Sequence, residues 1–254
     1  MAQARPYYAD KSLSAAFYDV VTAADERLAG DIEAYAGLAA PGSSVLELGA
    51  GGGRVTFALA EQGYTVTGIE IAPAMLAQAQ ARLAQLPAEL AARVELRRGD
   101  MTALDLKRTF DLVICPYFTL AHVPAGTAWR NTFATAARHL PPGGRAAFHL
   151  PLLEIMRMPG PPKEMVVFDR PLPGGGRLQL HVLERTFKAA IGRLDQVIEY
   201  VERDAAGAVL RRSPERLTFY LTDPEPLAAT AGLVRDRDPI PLGGVGDIWV
   251  FRRV

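Results

Sequence analysis

The chain has 254 residues, 49% hydrophobic and 22% charged, the usage of an ordinary folded protein rather than a disordered or fibrous one. Its 28 Lys+Arg balance 28 Asp+Glu, so bulk electrostatics do not point to a nucleic-acid partner. The single cysteine, Cys115, excludes an internal disulfide and a thiolate-rich metal site; no metal is expected. No apolar run reaches the ~18–20 residues of a membrane span, and the N-terminus lacks the apolar core of a signal peptide. A soluble cytoplasmic protein without a membrane partner is expected.

In chain order, helical spacing of Leu13, Phe17, Val20 and Val21, then of Leu28, Ile32, Tyr35 and Leu38, predicts helix over 12–39, with a break near Ala23 to Asp25. Pro41-Gly42 stops it. A short apolar strand, Ser44 to Leu48, runs into glycines. Helix follows over Val55 to Gln62, strand over Thr65 to Ile69, and helix from Pro73 to about Gln85. Strands are predicted at Val94 to Arg97, Phe110 to Cys115 and Arg145 to Leu150, with a helix over Thr127 to His139. Strand and helix thus alternate through 44–150, which predicts a parallel sheet with helices on both faces. The period then changes. Met165 to Asp169, Leu178 to Phe187, Leu194 to Arg203 and Val209 to Tyr220 read as an antiparallel block. A short helix at Pro224 to Thr230 precedes a strand pair, Leu233 to Asp236 and Asp247 to Phe251, joined by a glycine loop.

The most informative stretch is Glu47-Leu48-Gly49-Ala50-Gly51-Gly52-Gly53-Arg54. Glycine permits positive φ and close approach of a ligand, and the first crevice of a doubly wound sheet is where nucleotides bind. Glu70, at the end of the next strand, can accept hydrogen bonds from ribose hydroxyls. A dinucleotide site wants a small residue where Arg54 stands, and a bulky side chain there is expected to crowd helix–strand packing. Glu47 is a poor neighbour for a pyrophosphate and a good one for a cationic amino group. Buried, it needs a donor, from backbone N–H or ligand. A nucleoside bearing an amino acid is therefore favoured over a dinucleotide.

These residues resemble the motifs of class I S-adenosylmethionine-dependent methyltransferases. Glu47-x-Gly49-x-Gly51-x-Gly53, with Ala50 in the turn, is similar to their first motif. Glu70-Ile71-Ala72-Pro73-Ala74-Met75 resembles the second, whose acidic residue holds the ribose while the Met lies near adenine. Gly99-Asp100-Met101 resembles the third, which lines adenine, and Phe110 to Cys115 the fourth strand. The resemblance implies an α/β fold: a doubly wound, mostly parallel seven-stranded Rossmann-like sheet with the antiparallel block inserted. It divides the chain into an N-terminal helical lid (1–40), a cofactor-binding core (41–162), the inserted block (163–222) and a closing helix and strand pair (223–254). It implies S-adenosyl-L-methionine as cofactor, with Tyr18 of the lid reaching the methionine carboxylate.

The resemblance also puts the methyl group over Cys115-Pro116-Tyr117-Phe118-Thr119-Leu120-Ala121-His122. The Asn-Pro-Pro-Tyr box of amide and adenine N-methyltransferases fails here, because Cys115 replaces its Asn. A small-molecule acceptor, as for sugar N-methyltransferases, is expected instead. His122 is the candidate base, since an imidazole titrates near neutrality. Tyr117 is expected to orient the acceptor, and His149 and His181 to face the site. His139 is expected to cap a helix C-terminus. The inserted block either roofs the acceptor site or forms a homodimer interface. The expected activity is methyl transfer to N or O of a small molecule. The alternatives are a non-methylating protein of the same fold (a cyclase, a decarboxylase or a binding module) and, against Arg54 and Glu47, a nicotinamide oxidoreductase.

Overall fold

A computed structural model of the chain describes residues 4–254. In order, its elements are β1 (Arg5–Pro6), α1 (Leu13–Ala16), α2 (Tyr18–Ala23), α3 (Asp31–Ala36), β2 (Ser44–Leu48), α4 (Arg54–Glu61), β3 (Thr65–Glu70), α5 (Pro73–Leu83), α6 (Ala88–Ala91), β4 (Val94–Arg98) and β5 (Leu112–Cys115). Then follow α7 (Thr127–Arg138), β6 (Arg145–Pro151), α8 (Leu153–Arg157), β7 (Val166–Pro171), β8 (Arg177–Lys188), β9 (Arg193–Arg203) and β10 (Val209–Tyr220). The chain closes with α9 (Glu225–Ala229), β11 (Leu233–Arg235), β12 (Ile240–Leu242) and β13 (Gly246–Arg253). The elements gather into two compact units, Arg27–Leu152 with Leu221–Val254, and the described residues up to Glu26 with Leu153–Tyr220.

The larger unit holds a sheet of order β11-β13-β6-β5-β2-β3-β4. Strands β4, β3, β2, β5 and β6 run parallel, and β13 is antiparallel to β6. This is the doubly wound α/β arrangement expected, with one strand more. Three-residue β12 pairs with β13 across the glycine loop; carrying Pro241, it has no strand signature of its own. Strand order reverses between β2 and β5, the switch point at which such sheets bind ligands. Alternation along β2 sends Leu46 and Leu48 into a core with Trp129, Phe133, Phe148 and Phe251. It sends Val45 into a second core with Tyr35, Phe57, Leu59 and Val250. Glu47 shares the side of Val45.

At the far end of the sheet, Asp111 Oδ2 accepts from the Ser44 N–H (2.7 Å) and the Ser44 hydroxyl (2.8 Å). His139 is the C-cap of α7, as expected, and is also a buried bridge. Its Nδ1 donates to the Thr135 carbonyl (2.7 Å), leaving Nε2 to accept from the Leu106 N–H (2.9 Å). Burial lowers its pKa, in keeping with a neutral ring that donates at one nitrogen and accepts at the other.

The smaller unit is a five-stranded sheet of order β1-β10-β9-β8-β7. The four antiparallel strands lie where the pattern put them, and the N-terminus adds β1, parallel to β10. The N-terminal helical region is shorter and more broken than periodicity suggests. Ser12 caps α1, accepting from the Ala15 N–H (3.2 Å), and Gly30 at φ 85° separates α3 from what precedes it. The unit boundary at 26/27 therefore falls inside the stretch expected to be one lid over 1–40.

A buried polar network attaches that segment to β10. Glu215 Oε1 accepts from the Ser14 N–H (3.2 Å) and the Ser213 hydroxyl (2.7 Å), while Ser213 Oγ accepts from the Leu13 N–H (3.3 Å). Leu13 packs between Leu178, Ile198 and Tyr200. Glu215→Ala strands these buried donors, at about 1–3 kcal/mol. Amide hydrogen exchange over residues 7–16 should accelerate while β2, β3 and β5 stay protected; unchanged exchange there would refute the attachment.

Candidate active site

The turn after β2 is built for close approach. Gly49, Gly51 and Gly53 have φ of 81°, 56° and 88°, a region that side chains penalise. A Cβ on Gly49 would stand 2.2 Å from Thr119 Cγ2, and one on Gly53 2.2 Å from the Phe57 ring. The first contact shows that the loop after β5 closes on the glycine turn across the switch point. The turn is stitched to β3, since the Ile69 carbonyl accepts from the N–H groups of Gly49 (2.8 Å) and Ala50 (2.9 Å). Glu70, 8% exposed, completes the seam. Its Oε2 accepts from the Gly51 N–H (2.8 Å) and its Oε1 from the Ala72 N–H (2.7 Å). Each carboxylate oxygen has capacity for a further hydrogen bond.

Beneath the turn lies a buried polar cluster. Arg54, the first residue of α4, donates in a fork to Asp31 of α3, with Nη1 to Oδ1 at 3.0 Å and Nη2 to Oδ2 as the second arm. The side chain is thus drawn toward α3 and does not crowd the packing of α4 on the sheet as the sequence suggested. Glu47, 2% exposed, accepts a hydrogen bond from the Thr56 hydroxyl. Its donor is neither backbone nor ligand, as expected, but a side chain of α4. Burial pushes the Glu47 carboxyl up to about 8, against the Thr56 hydrogen bond and the Arg54 charge, with Asp31 and Glu70 adding to the rise. The Tyr35 hydroxyl is fully buried, with no hydrogen-bond partner among the described residues. Burial raises its pKa first, then the charges of Asp31, Cys115 and Glu47.

The loop after β5 is strained. Tyr117 and Phe118 have φ of 49° and 60°, rare for bulky residues and typical of functional sites. Their rings stack, and the Phe118 centroid lies 4.3 Å from that of His149. A Cβ at Gly246 would fall 2.4 Å from Phe118 and 2.6 Å from His149 Nε2. His149 is therefore wholly buried behind Phe118 rather than facing an open crevice. His122 is exposed, at the end of a 3-10 turn over Thr119–His122.

The other expected residues divide. Ile71, 59% exposed, stands at the lip next to Glu70. Gly99 closes against Ile69 and Leu104. Asp100 Oδ1 accepts from the Thr102 N–H and hydroxyl, both at 2.8 Å, so Asp100 caps its own turn. Met101 packs on the first core. Met75 and Cys115 are buried side chains, on α5 and in the core, and burial raises the Cys115 thiol pKa. Tyr18 on α2 and His181 on β8 belong to the smaller unit. Sequence reasoning missed Asp31, Tyr35 and Thr56 as members of the site. The Arg54–Asp31 pair is 23 residues apart and carries no local signature. Among the described residues no cluster of three His, Cys, Asp or Glu could hold a metal, and no helix is long and apolar enough to cross a membrane.

Residues 45–144 match the family described as methyltransferase domain. The chain is 39% identical over 119 residues to a ubiquinone biosynthesis O-methyltransferase of Pseudomonas fluorescens, covering 46% of this chain and 47% of that protein. It thus spans about half the length of the curated relatives it matches. The CcbJ methyltransferase of Streptomyces caelestis superposes with a TM-score of 0.74 at 23% identity over 98% of both chains, a likeness of fold. CalS10, an amino pentose methyltransferase of Micromonospora echinaspora solved with S-adenosylmethionine bound, has a TM-score of 0.64 at 25% identity over 93% of this chain and 96% of that one.

The raised Glu47 pKa makes a stability prediction. Between the ordinary 4.5 and the folded value of about 8, the folded chain holds a proton that the unfolded chain has lost. Stability of the cofactor-free protein therefore falls as pH rises through that window. Denaturant titrations from about pH 5 to about pH 8 should show this slope in the wild type and lose it in Glu47→Gln; equal slopes would place the titration elsewhere.

Proposed function

We propose that the chain, whose residues 45–144 match the family described as methyltransferase domain on a doubly wound sheet, transfers a methyl group from S-adenosyl-L-methionine to an amine or hydroxyl of a small molecule. One observation carries the reading. A turn with three glycines at positive φ is laced to a carboxylate at the end of the neighbouring strand, at the switch point of the sheet. The donor set suits this cofactor. Glu70 has acceptor capacity for ribose hydroxyls, exposed Ile71 offers an apolar face to a base, and Glu47 offers a negative charge to an ammonium group.

When bound, S-adenosylmethionine supplies a methyl group on a sulfonium, ready for in-line displacement. The protein's task is then alignment and proton removal. His122, exposed at the end of the loop after β5, takes the proton of the acceptor. His149 shapes the wall from behind Phe118. Tyr117, held in a left-handed conformation, orients the acceptor. Amino sugars are the first acceptors to try, given the amino pentose methyltransferase that shares the fold.

Calorimetry with S-adenosylmethionine and S-adenosylhomocysteine should show binding, and Glu70→Ala should weaken it by about 1–3 kcal/mol. His122→Ala should lower turnover by about 10²–10⁴-fold with cofactor affinity intact. A normal rate in that variant would remove His122 as base. Cofactor binding without turnover over a wide amine and hydroxyl panel would favour the non-methylating reading.

A further inference from the structure

Among the described residues, Glu47 is a buried acid without an ion-pair partner of its own. Its carboxyl is 2% exposed, and among the described residues Thr56 of α4 is its one hydrogen-bond donor. From α3 it is faced by Asp31 and the Tyr35 hydroxyl, from α4 by Arg54, from β3 by Glu70 and from β5 by Cys115. Arg54 has two guanidinium nitrogens on Asp31, so that pair sums to no net charge. Glu70 has two backbone N–H donors of its own. What remains beneath the glycine turn, on the Glu47 side of the sheet, is one carboxyl and one orphaned phenol. Ionised there, Glu47 would be a desolvated charge with one hydroxyl to hold it, a costly state. A monovalent cation with N–H donors would remove the cost.

We propose that Glu47 stands as the neutral acid in the cofactor-free protein and gives up its proton when the ammonium group of the cofactor arrives, so that loading releases one proton to solvent. The step breaks only the carboxyl O–H bond. The proton passes to water, and the carboxylate accepts from the ammonium N–H. The inference rests on the cofactor reading above and adds to it a proton linkage and a state for Glu47. Asp31, by occupying Arg54, is a positioning residue that keeps the cluster short of one positive charge. Thr56 serves both states, because a hydroxyl donates to a carboxylate and to a carboxylic acid carbonyl alike.

The test is calorimetry of S-adenosylhomocysteine at about pH 6.5, where an ordinary α-amino group (about 7.7–8.0) is protonated, in buffers of different ionisation enthalpy. The wild type should release close to one proton per site. Its affinity should rise about tenfold per pH unit from about pH 5 to about pH 7. Glu47→Gln should release none, with affinity flat over that range. 5′-Methylthioadenosine, which lacks the amino-acid end, should release none from the wild type, a control that holds even if the variant does not fold. Binding of S-adenosylhomocysteine without proton release, or equal release with methylthioadenosine, would overturn the proposal and leave the cofactor reading standing. Absence of heat with every one of these compounds would remove both.

Discussion

Two carboxylates end adjacent strands of a parallel sheet and meet at a turn almost bare of side chains; the rest of the site follows from how each is satisfied. Glu70 is held by backbone N–H groups of the turn and of the segment leading into α5, and this fixes the turn to β3. Glu47 is held from below by a hydroxyl of α4. One carboxylate is well provided with donors and lies near the lip, while the other is poorly provided and lies deep. That asymmetry is a matter of which donors the fold brings within reach, since the two residues are chemically alike. It divides the labour expected of them between a neutral, hydroxyl-bearing partner and a cationic one.

The turn has its shape because its neighbours leave no room. Thr119 from the loop after β5 occupies the space a side chain at position 49 would need, and the Phe57 ring does the same at position 53. The crevice is thus defined by two loops from strands adjacent in the sheet but far apart in the chain. The β5 loop reaches its position through two successive left-handed aromatic residues, a conformation held by packing of Phe118 against His149 and the bare backbone of Gly246. Three strand ends, of β5, β6 and β13, are committed to one ring. Such over-determination is what lets a strained backbone persist.

The N-terminal residues tell a parallel story in the smaller unit. Their attachment comes from a buried glutamate and Ser213, which satisfy the backbone N–H groups of Ser14 and Leu13, with Leu13 as the apolar anchor. In both units a buried carboxylate organises main chain that has no regular partner, Glu215 in the smaller and Glu70 in the larger. Glu47 differs from both, because its donor is the Thr56 hydroxyl.

Periodicity and glycine placement depend on residues a few positions apart. For that reason the alternation through 44–150, the four strands of the inserted block, the glycine turn and the strand-end position of Glu70 could all be read directly from the chain. The same local rules misjudged Arg54, which looked like an obstruction until Asp31 drew it aside, and saw in His139 the cap of α7 but not the Leu106 N–H that its ring also meets. Nor could they find β12, the parallel pairing of β1, or the cluster of Tyr35, Thr56 and Glu47. Those depend on which side chains meet after distant segments pack, and on how much water is excluded when they do. Burial is a property of the assembled core, so the identity of an acid is written in the chain, while its proton, its donor and its partner charge are decided only when the fold closes around it.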